Sequence, residues 1–287
     1  MDDLTNKNID KKTRQKIATV KKSEKNLLKV AANAQRKLNN FLINTFMPSL
    51  DIKDGRIINN TNNLKKVNTA ATLKRFLKNV VNESLLKAYL KGFSDINKNT
   101  ASLYDLYEPT KATKERIFNR SDIIADGFLT ELFDNNEIQK DIQNTLRNAI
   151  TTESKASDLK NLITEQIKGT EQKMGALESF HYSQGRDSFQ EHTRGLDVQF
   201  AKALKLNYFI YQGGTINTTR EFCDERNRGT YTREEVESWQ DLTWQGKKEG
   251  HNIFTDLGGY NCRHDLTPIT YELAKRRRPD IEKSKYD

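Results

Sequence analysis

The residues of this 287-residue chain best equipped for chemistry lie in its last quarter. Arg220-Glu221-Phe222-Cys223 is followed, after a long variable stretch, by Gly258-Gly259-Tyr260-Asn261-Cys262-Arg263-His264. The glycine pair permits a sharp turn or positive φ, after which Asn261, Cys262, Arg263 and His264 are presented in succession. Three chemistries fit. Cys223, Cys262 and His264, with His251, are soft or borderline donors suited to zinc, although no Cys-x2-Cys or His-x3-His pair accompanies them. A cysteine with His264 as its base would be a nucleophile. In the third, both cysteines are small buried hydrophobes, while Arg220 and Arg263 tie irregular loops through hydrogen bonds to carbonyls or carboxylates. A Cys223–Cys262 disulfide is geometrically open, but synthesis in a reducing cytosol stands against it.

Both motifs follow strand-like or glycine-turn segments of one small module with room for one core, so Cys223, Cys262 and His264 are expected to meet in space. A fourth donor, from His251 or a carboxylate, would favour structural zinc; without one, packing is favoured. Gly259→Val is expected to disrupt the module more than Gly246→Val. The remaining histidines, His181 and His192, fall near one face of a predicted helix and read as surface or packing residues. The carboxylate pairs Asp224-Glu225 and Glu234-Glu235 read as solvated faces. The sequence contains no Walker loop, no G-x-G-x-x-G and no H-E-x-x-H.

The elements that must position these residues change character along the chain. Ile17, Val20, Leu27, Ala31, Ala34, Leu38 and Phe41 recur at a 3–4 spacing, broken once by Glu24, and predict one helix over residues 13–46. Met47-Pro48 ends it. Ile52, Asp54-Gly55 and Ile57-Ile58 predict a hairpin, and Asn59 to Asn63 a loop. Helical spacing returns from about Ala70 to Phe93, then near 111–134, 136–150, 155–168 and 170–203. Pro109, Asn135-Asn136 and Gly169 mark the breaks, and Ser154 to Asp158 supply cap residues. After Leu206 the texture is aromatic and glycine-rich: Tyr208 to Gln212 predicts a strand and Gly213-Gly214 its turn. The resulting reading is mainly α, a long helical N-terminal region followed by a small turn-rich α+β module. Its segments are a basic helical arm at 1–110 with a hairpin near 50–58, a helical lead-in at 111–205, the module at 206–272, and a frayed basic tail at 273–287.

Charge is as uneven as texture. Residues 1–100 carry 21 Lys and Arg against 8 Asp and Glu, a net +13, while residues 101–287 carry 27 against 31, a net −4. A basic segment on a near-neutral body points to a polyanion, although a lysine-rich solvated helix face would look the same. Its aromatics are few and core-facing, which favours phosphate contact on duplex DNA without sequence reading, from Lys11, Lys12, Arg14, Lys21, Lys22, Lys65 and Lys66. No apolar run is long enough for a transmembrane helix, and the first residues lack a signal-peptide pattern.

The order of an aromatic strand ending in glycine, then Thr219-Arg220-Glu221-Phe222-Cys223, then Gly258 to His264 and a final strand at Pro268-Ile269, resembles the phage head morphogenesis (minor head protein) family, which includes the Mu protein F-like domain. Tyr211, Gly213, Gly229 and Tyr231 belong to the same pattern, and Thr151-Thr152-Glu153-Ser154 through Gly169 resembles its helical lead-in. The resemblance covers about residues 140–270. Two positions depart from it: where the family often ends His-Pro-Asn-Cys-Arg-Cys, this chain has Tyr260 for the proline and His264 for the last cysteine. The resemblance implies a non-enzymatic minor head protein, made in the host cytoplasm and carried into the virion head. It would be associated with portal or capsid and assist head assembly and DNA packaging or ejection. Its implied partners are portal and capsid proteins, with double-stranded DNA beside the basic arm, no membrane and no cofactor. The alternatives are a metal-dependent DNA-processing enzyme using Cys223, Cys262 and His264, and a DNA-binding protein with no virion role.

Overall fold

A computed structural model describes residues 6–69, 71–134 and 137–287. In chain order these form α1 (Asn6–Phe41), a π-helical and 3-10 continuation to Ser49, the hairpin β1 (Ile52–Lys53) and β2 (Arg56–Ile57), α2 (Thr61–Thr69), α3 (Ala71–Phe76) and a π-helical turn to Asn82. Then come α4 (Glu83–Tyr104), α5 (Lys111–Asp134), α6 (Glu137–Thr151), α7 (Ala156–Lys168), a second hairpin β3 (Gly169–Thr170) and β4 (Lys173–Met174), and α8 (Ala176–Leu204). The C-terminal part adds β5 (Tyr208–Gln212), α9 (Glu221–Arg226), β6 (Thr230–Thr232), α10 (Arg233–Ser238), α11 (Ile253–Asp256), β7 (Asp265–Ile269) and α12 (Tyr271–Arg277). The fold is mainly helical, as the periodicity implied.

The chain divides into two compact units that do not follow the segments read from the sequence. One unit joins residues up to Glu24 with Lys91–Gly127 and Gly185–Asp287; the other joins Lys25–Leu90 with Phe128–Gln184. The boundaries at 110 and 205 thus mark changes of local texture. Each unit is assembled from segments far apart in the chain, so compactness is non-local.

In the unit containing Lys25–Leu90, Asp54 and Gly55 both take positive φ (52° and 74°) and set Ile52 opposite Ile57, the hairpin that Asp-Gly predicts. The run Asn59 to Asn63 is loop only at its start. Asn60 accepts a hydrogen bond from the Asn63 amide at 2.7 Å, as an N-cap does, so α2 begins at Thr61. The expected cap before α7 falls at Lys155, which makes no side-chain cap bond. Residues 169–174 form a hairpin where helix was expected from 170, because Gly169 leaves α7 at φ 78°. The expected helix start at Ala70 and the break at Asn135-Asn136 lie outside the described residues.

In the other unit, β5 is central in a three-stranded antiparallel sheet of order β6-β5-β7, with Tyr211 paired to Leu266 and Gln212 to Asp265. All of Tyr208 to Tyr211 is buried, consistent with a strand covered on both faces. Residues 273–287 are docked, not frayed. Ile281 is fully buried, Asn207 donates to the Tyr286 carbonyl at 3.1 Å, and the Tyr208 hydroxyl donates to Asp287. α1 enters this unit with a stripe that includes Lys16 as well as Ile9, Thr13 and Val20, all buried.

Candidate functional site

Cys223 is carried on α9, one turn after Arg220, and is buried together with Phe222. The other half of the site is the loop from Leu257 to His264. It takes positive φ at alternate residues, Leu257 (48°), Gly259 (84°) and Asn261 (57°), a conformation that costs free energy for non-glycine residues and persists only when surrounding contacts impose it. Those contacts are present. Arg220 donates to the carbonyls of Gln245 and Tyr260 at 2.8 and 2.6 Å, the Trp244 indole donates to the Gly258 carbonyl at 3.0 Å, and the Tyr260 amide donates to the Gly246 carbonyl at 3.0 Å. Arg263 pairs with Glu24 of α1, which accounts for the charged interruption in that helix's apolar stripe.

The strongest tie comes from Arg194 of α8, which is 3% exposed. Its guanidinium donates to the carbonyls of Thr255 (2.9 Å), Asp256 (3.3 Å), Cys262 (2.9 Å) and His264 (3.2 and 2.7 Å). One planar cation thus gathers four carbonyls, two at the end of α11 and two in the irregular loop that follows it.

This scaffold brings Cys223, Cys262 and His264 together, their donor atoms all within 4.8 Å of one another and all three residues buried. The sulfurs are 4.0 Å apart, and Cys262 Sγ lies 3.9 Å from His264 Nδ1. Both cysteines are free thiols. The hydrogen bond between them raises the Cys223 thiol and holds Cys262 well below the usual thiol range, with Arg194 and His264 also favouring the Cys262 thiolate against burial. His264 stacks on the Tyr211 ring (5.3 Å between centroids), and the Tyr211 hydroxyl abuts Cys223. His251 is buried against Trp244 but lies outside this group, and among the described residues no carboxylate joins it. Three expected donors have met, and the fourth has not.

The other sequence candidates lie elsewhere. Lys11, Arg14, Lys21 and Lys22 are exposed on α1 and Lys65 on α2. Lys12 donates to Ser102 at 2.6 Å, and Lys66 is held by Asp51 and the Ser49 carbonyl. His181 and His192 are buried, the first against the Tyr89 hydroxyl at 3.0 Å and the second against Asn97 at 2.8 Å. Burial lowers both to about 4. Arg194 was not singled out in the sequence. No local signal marks it: its neighbours on the helix face, Gln190 and Asp197, are polar as well, and all three are buried, so the face reads as solvated until its partners are seen.

Two glycines are required here. A Cβ on Gly258 would lie 2.4 Å from Cys223 Sγ and 3.1 Å from Cys262 Sγ, and one on Gly259 would lie 1.9 Å from the Gly246 carbonyl oxygen. Gly259→Val is therefore expected to cost about 3 kcal/mol or more in stability, combining strained φ with a backbone clash. Gly246 also has positive φ, and its Cβ would meet the Arg220 guanidinium at 2.6 Å, so Gly246→Val is expected to be costly too, though less so because a side chain can yield. Gly214, with open space around it, is the neutral reference. Denaturation midpoints in the order Gly214→Val, Gly246→Val, Gly259→Val, from highest to lowest, check this.

Compared with models of protein families, with curated proteins and with solved structures, the chain matches none of them. Among the described residues, no helix is long and apolar enough to cross a membrane.

Proposed function

We propose that this chain is a minor head protein of a phage, with a structural and not an enzymatic role, acting beside the portal or capsid shell and next to packaged DNA. The observation that carries the reading is the state of the motif residues on which the family resemblance rests. Arg220, Cys223, Gly258, Gly259, Cys262, Arg263 and His264 are engaged in tying one loop and one short helix into a buried knot. A catalytic thiol or metal must reach substrate; Cys223, Cys262 and His264 are 2, 4 and 3% exposed. The same burial counts against a DNA-processing enzyme, whose metal would have to touch a phosphodiester.

Portal and capsid proteins are the proposed partners, with assembly in the host cytoplasm and incorporation into the head. Co-expression with phage portal and major capsid proteins from the same genome tests this. Recovery of the chain in purified procapsids supports the reading. Procapsids that assemble normally and exclude the chain overturn it in favour of a DNA-binding protein outside the virion.

DNA contact is assigned to the exposed Lys11, Arg14, Lys21 and Lys22 of α1. Binding to duplex DNA should be weak, indifferent to sequence and steeply salt-dependent. Each phosphate contact contributes about −0.9 to the slope of log K against log salt, so replacing all four by glutamine should flatten that slope by up to about 4. An unchanged slope would remove the assignment.

A further inference from the structure

We infer that Cys223, Cys262 and His264 form a three-donor binding site for a thiophilic divalent cation, zinc being the natural occupant. The inference rests on the geometry of the site and stands apart from the head-protein reading.

Zinc–sulfur bonds of about 2.3 Å and zinc–nitrogen bonds of about 2.0–2.1 Å, at tetrahedral angles, place two sulfurs about 3.8 Å apart and a sulfur and nitrogen about 3.6 Å apart. The observed separations are 4.0 Å for Cys223 Sγ to Cys262 Sγ and 3.9 Å for Cys262 Sγ to His264 Nδ1. Two of the three edges therefore already stand near those of a coordination tetrahedron, and the third, from Cys223 to His264, is within 4.8 Å and would close on binding. A disulfide needs sulfurs at about 2.05 Å, and close packing alone does not call for an imidazole beside two thiols.

Packing also leaves a polar group unexplained. His264 Nε2 is buried with no hydrogen-bond partner among the described residues, and the Nδ1 partner is a thiol sulfur. Buried polar atoms are nearly always paired; the only partner of Nδ1 among the described residues is a sulfur 3.9 Å away, and a cation bound at Nδ1 would replace that weak contact, while Nε2 would still need an acceptor of its own. The supports of the site are those of a fixed ligand set. Arg194 holds the carbonyls of both Cys262 and His264, which sets the spacing of those two side chains. Gly258 keeps the space beside both sulfurs clear of a Cβ, and Gly213 does the same beside His264, where a Cβ would lie 2.6 Å from the ring. His251 and the carboxylates supply no fourth donor among the described residues, the outcome for which packing was expected; the donor spacing favours a cation over that expectation, with a water molecule in the fourth position.

The test uses the full chain, purified without chelator and without an affinity tag that binds metal. Elemental analysis should find one zinc per chain. Replacement by cobalt should produce the thiolate-to-cobalt charge-transfer band and the intense visible bands of a tetrahedral site. Zinc removal by a chelator should lower the melting temperature of the wild-type chain and leave Cys262→Ser and His264→Asn unmoved. Because the wild-type metal content and cobalt spectrum are read directly, the outcome does not depend on those variants folding. A chain that holds no stoichiometric zinc when offered it, shows no thiolate–cobalt band and melts identically with and without chelator would overturn the proposal, leaving the triad as packing.

Discussion

Replacing Arg194 by methionine is expected to destabilise the unit that contains it by about 3–5 kcal/mol, the scale of a few buried acceptors left unpaired at about 1–3 kcal/mol each. Methionine matches much of the apolar volume, so the loss comes from hydrogen bonds. The carbonyls of Thr255, Asp256, Cys262 and His264 would lose the donor that serves them in the core, and a buried acceptor left without a partner costs about 1–3 kcal/mol. Arg194→Lys should recover little, because a single ammonium cannot replace a planar fork that reaches four carbonyls. The readouts are the denaturation midpoint and amide exchange over residues 255–265, which should speed up before the rest of the unit opens. A midpoint change worth less than about 1 kcal/mol would mean that the loop holds its strained conformation without the guanidinium.

The second large effect is expected at Lys16. This fully buried lysine of α1 pairs with Asp197 of α8 and with Asp265 at the start of β7, the latter at 2.8 Å, and the Tyr104 hydroxyl donates to Asp197 at 2.7 Å. Lys16→Met would leave two carboxylates facing each other in the core and should cost about 3–5 kcal/mol. Asp197→Asn should be much milder, because Lys16 keeps Asp265.

The same network makes stability depend on pH. Burial, the largest influence, pushes the Asp197 carboxyl up to about 7, with Lys16 opposing it. The folded value lies above the unfolded one, so folding takes up a proton. The stabilisation from this group is fully present below about pH 4 and is lost as pH rises through 7. Wild type minus Asp197→Asn stability should therefore fall between pH 4 and 7; a flat difference would assign the raised value to a compensated group.

The two expectations expose what local pattern can and cannot reveal. The helix at 13–46 was legible because Val20, Leu27, Ala31, Ala34 and Leu38 recur at helical spacing. The hairpin was legible because Asp54-Gly55 is one of the few dipeptides that accept two positive φ values. β5 was legible from its aromatic and β-branched run. These are properties of neighbouring residues, and a chain expresses them whatever it packs against. The glycine pair at 258–259 was legible for the same reason, since the need for a missing Cβ is written at the position itself.

Arg194 and Lys16 show the opposite case. Lys16 stands on an apolar stripe, where a charge looks like an error, and Arg194 on a polar face that reads as solvated, until their partners appear; those partners lie 61 to 70 residues away for Arg194 and 181 for the Lys16–Asp197 pair. The tail at 273–287 looked frayed because basic residues dominate it, yet Asn207 and Tyr208 capture its end. Residue types and local spacing were enough to mark out the helices, the turns and the three residues Cys223, Cys262 and His264 as a set. Which donors meet, that His251 stays outside, and that the loop carrying Cys262 is held by a buried arginine depend on burial and on long-range pairing. Those terms arise when distant segments exclude water together, and spacing along one segment does not encode them.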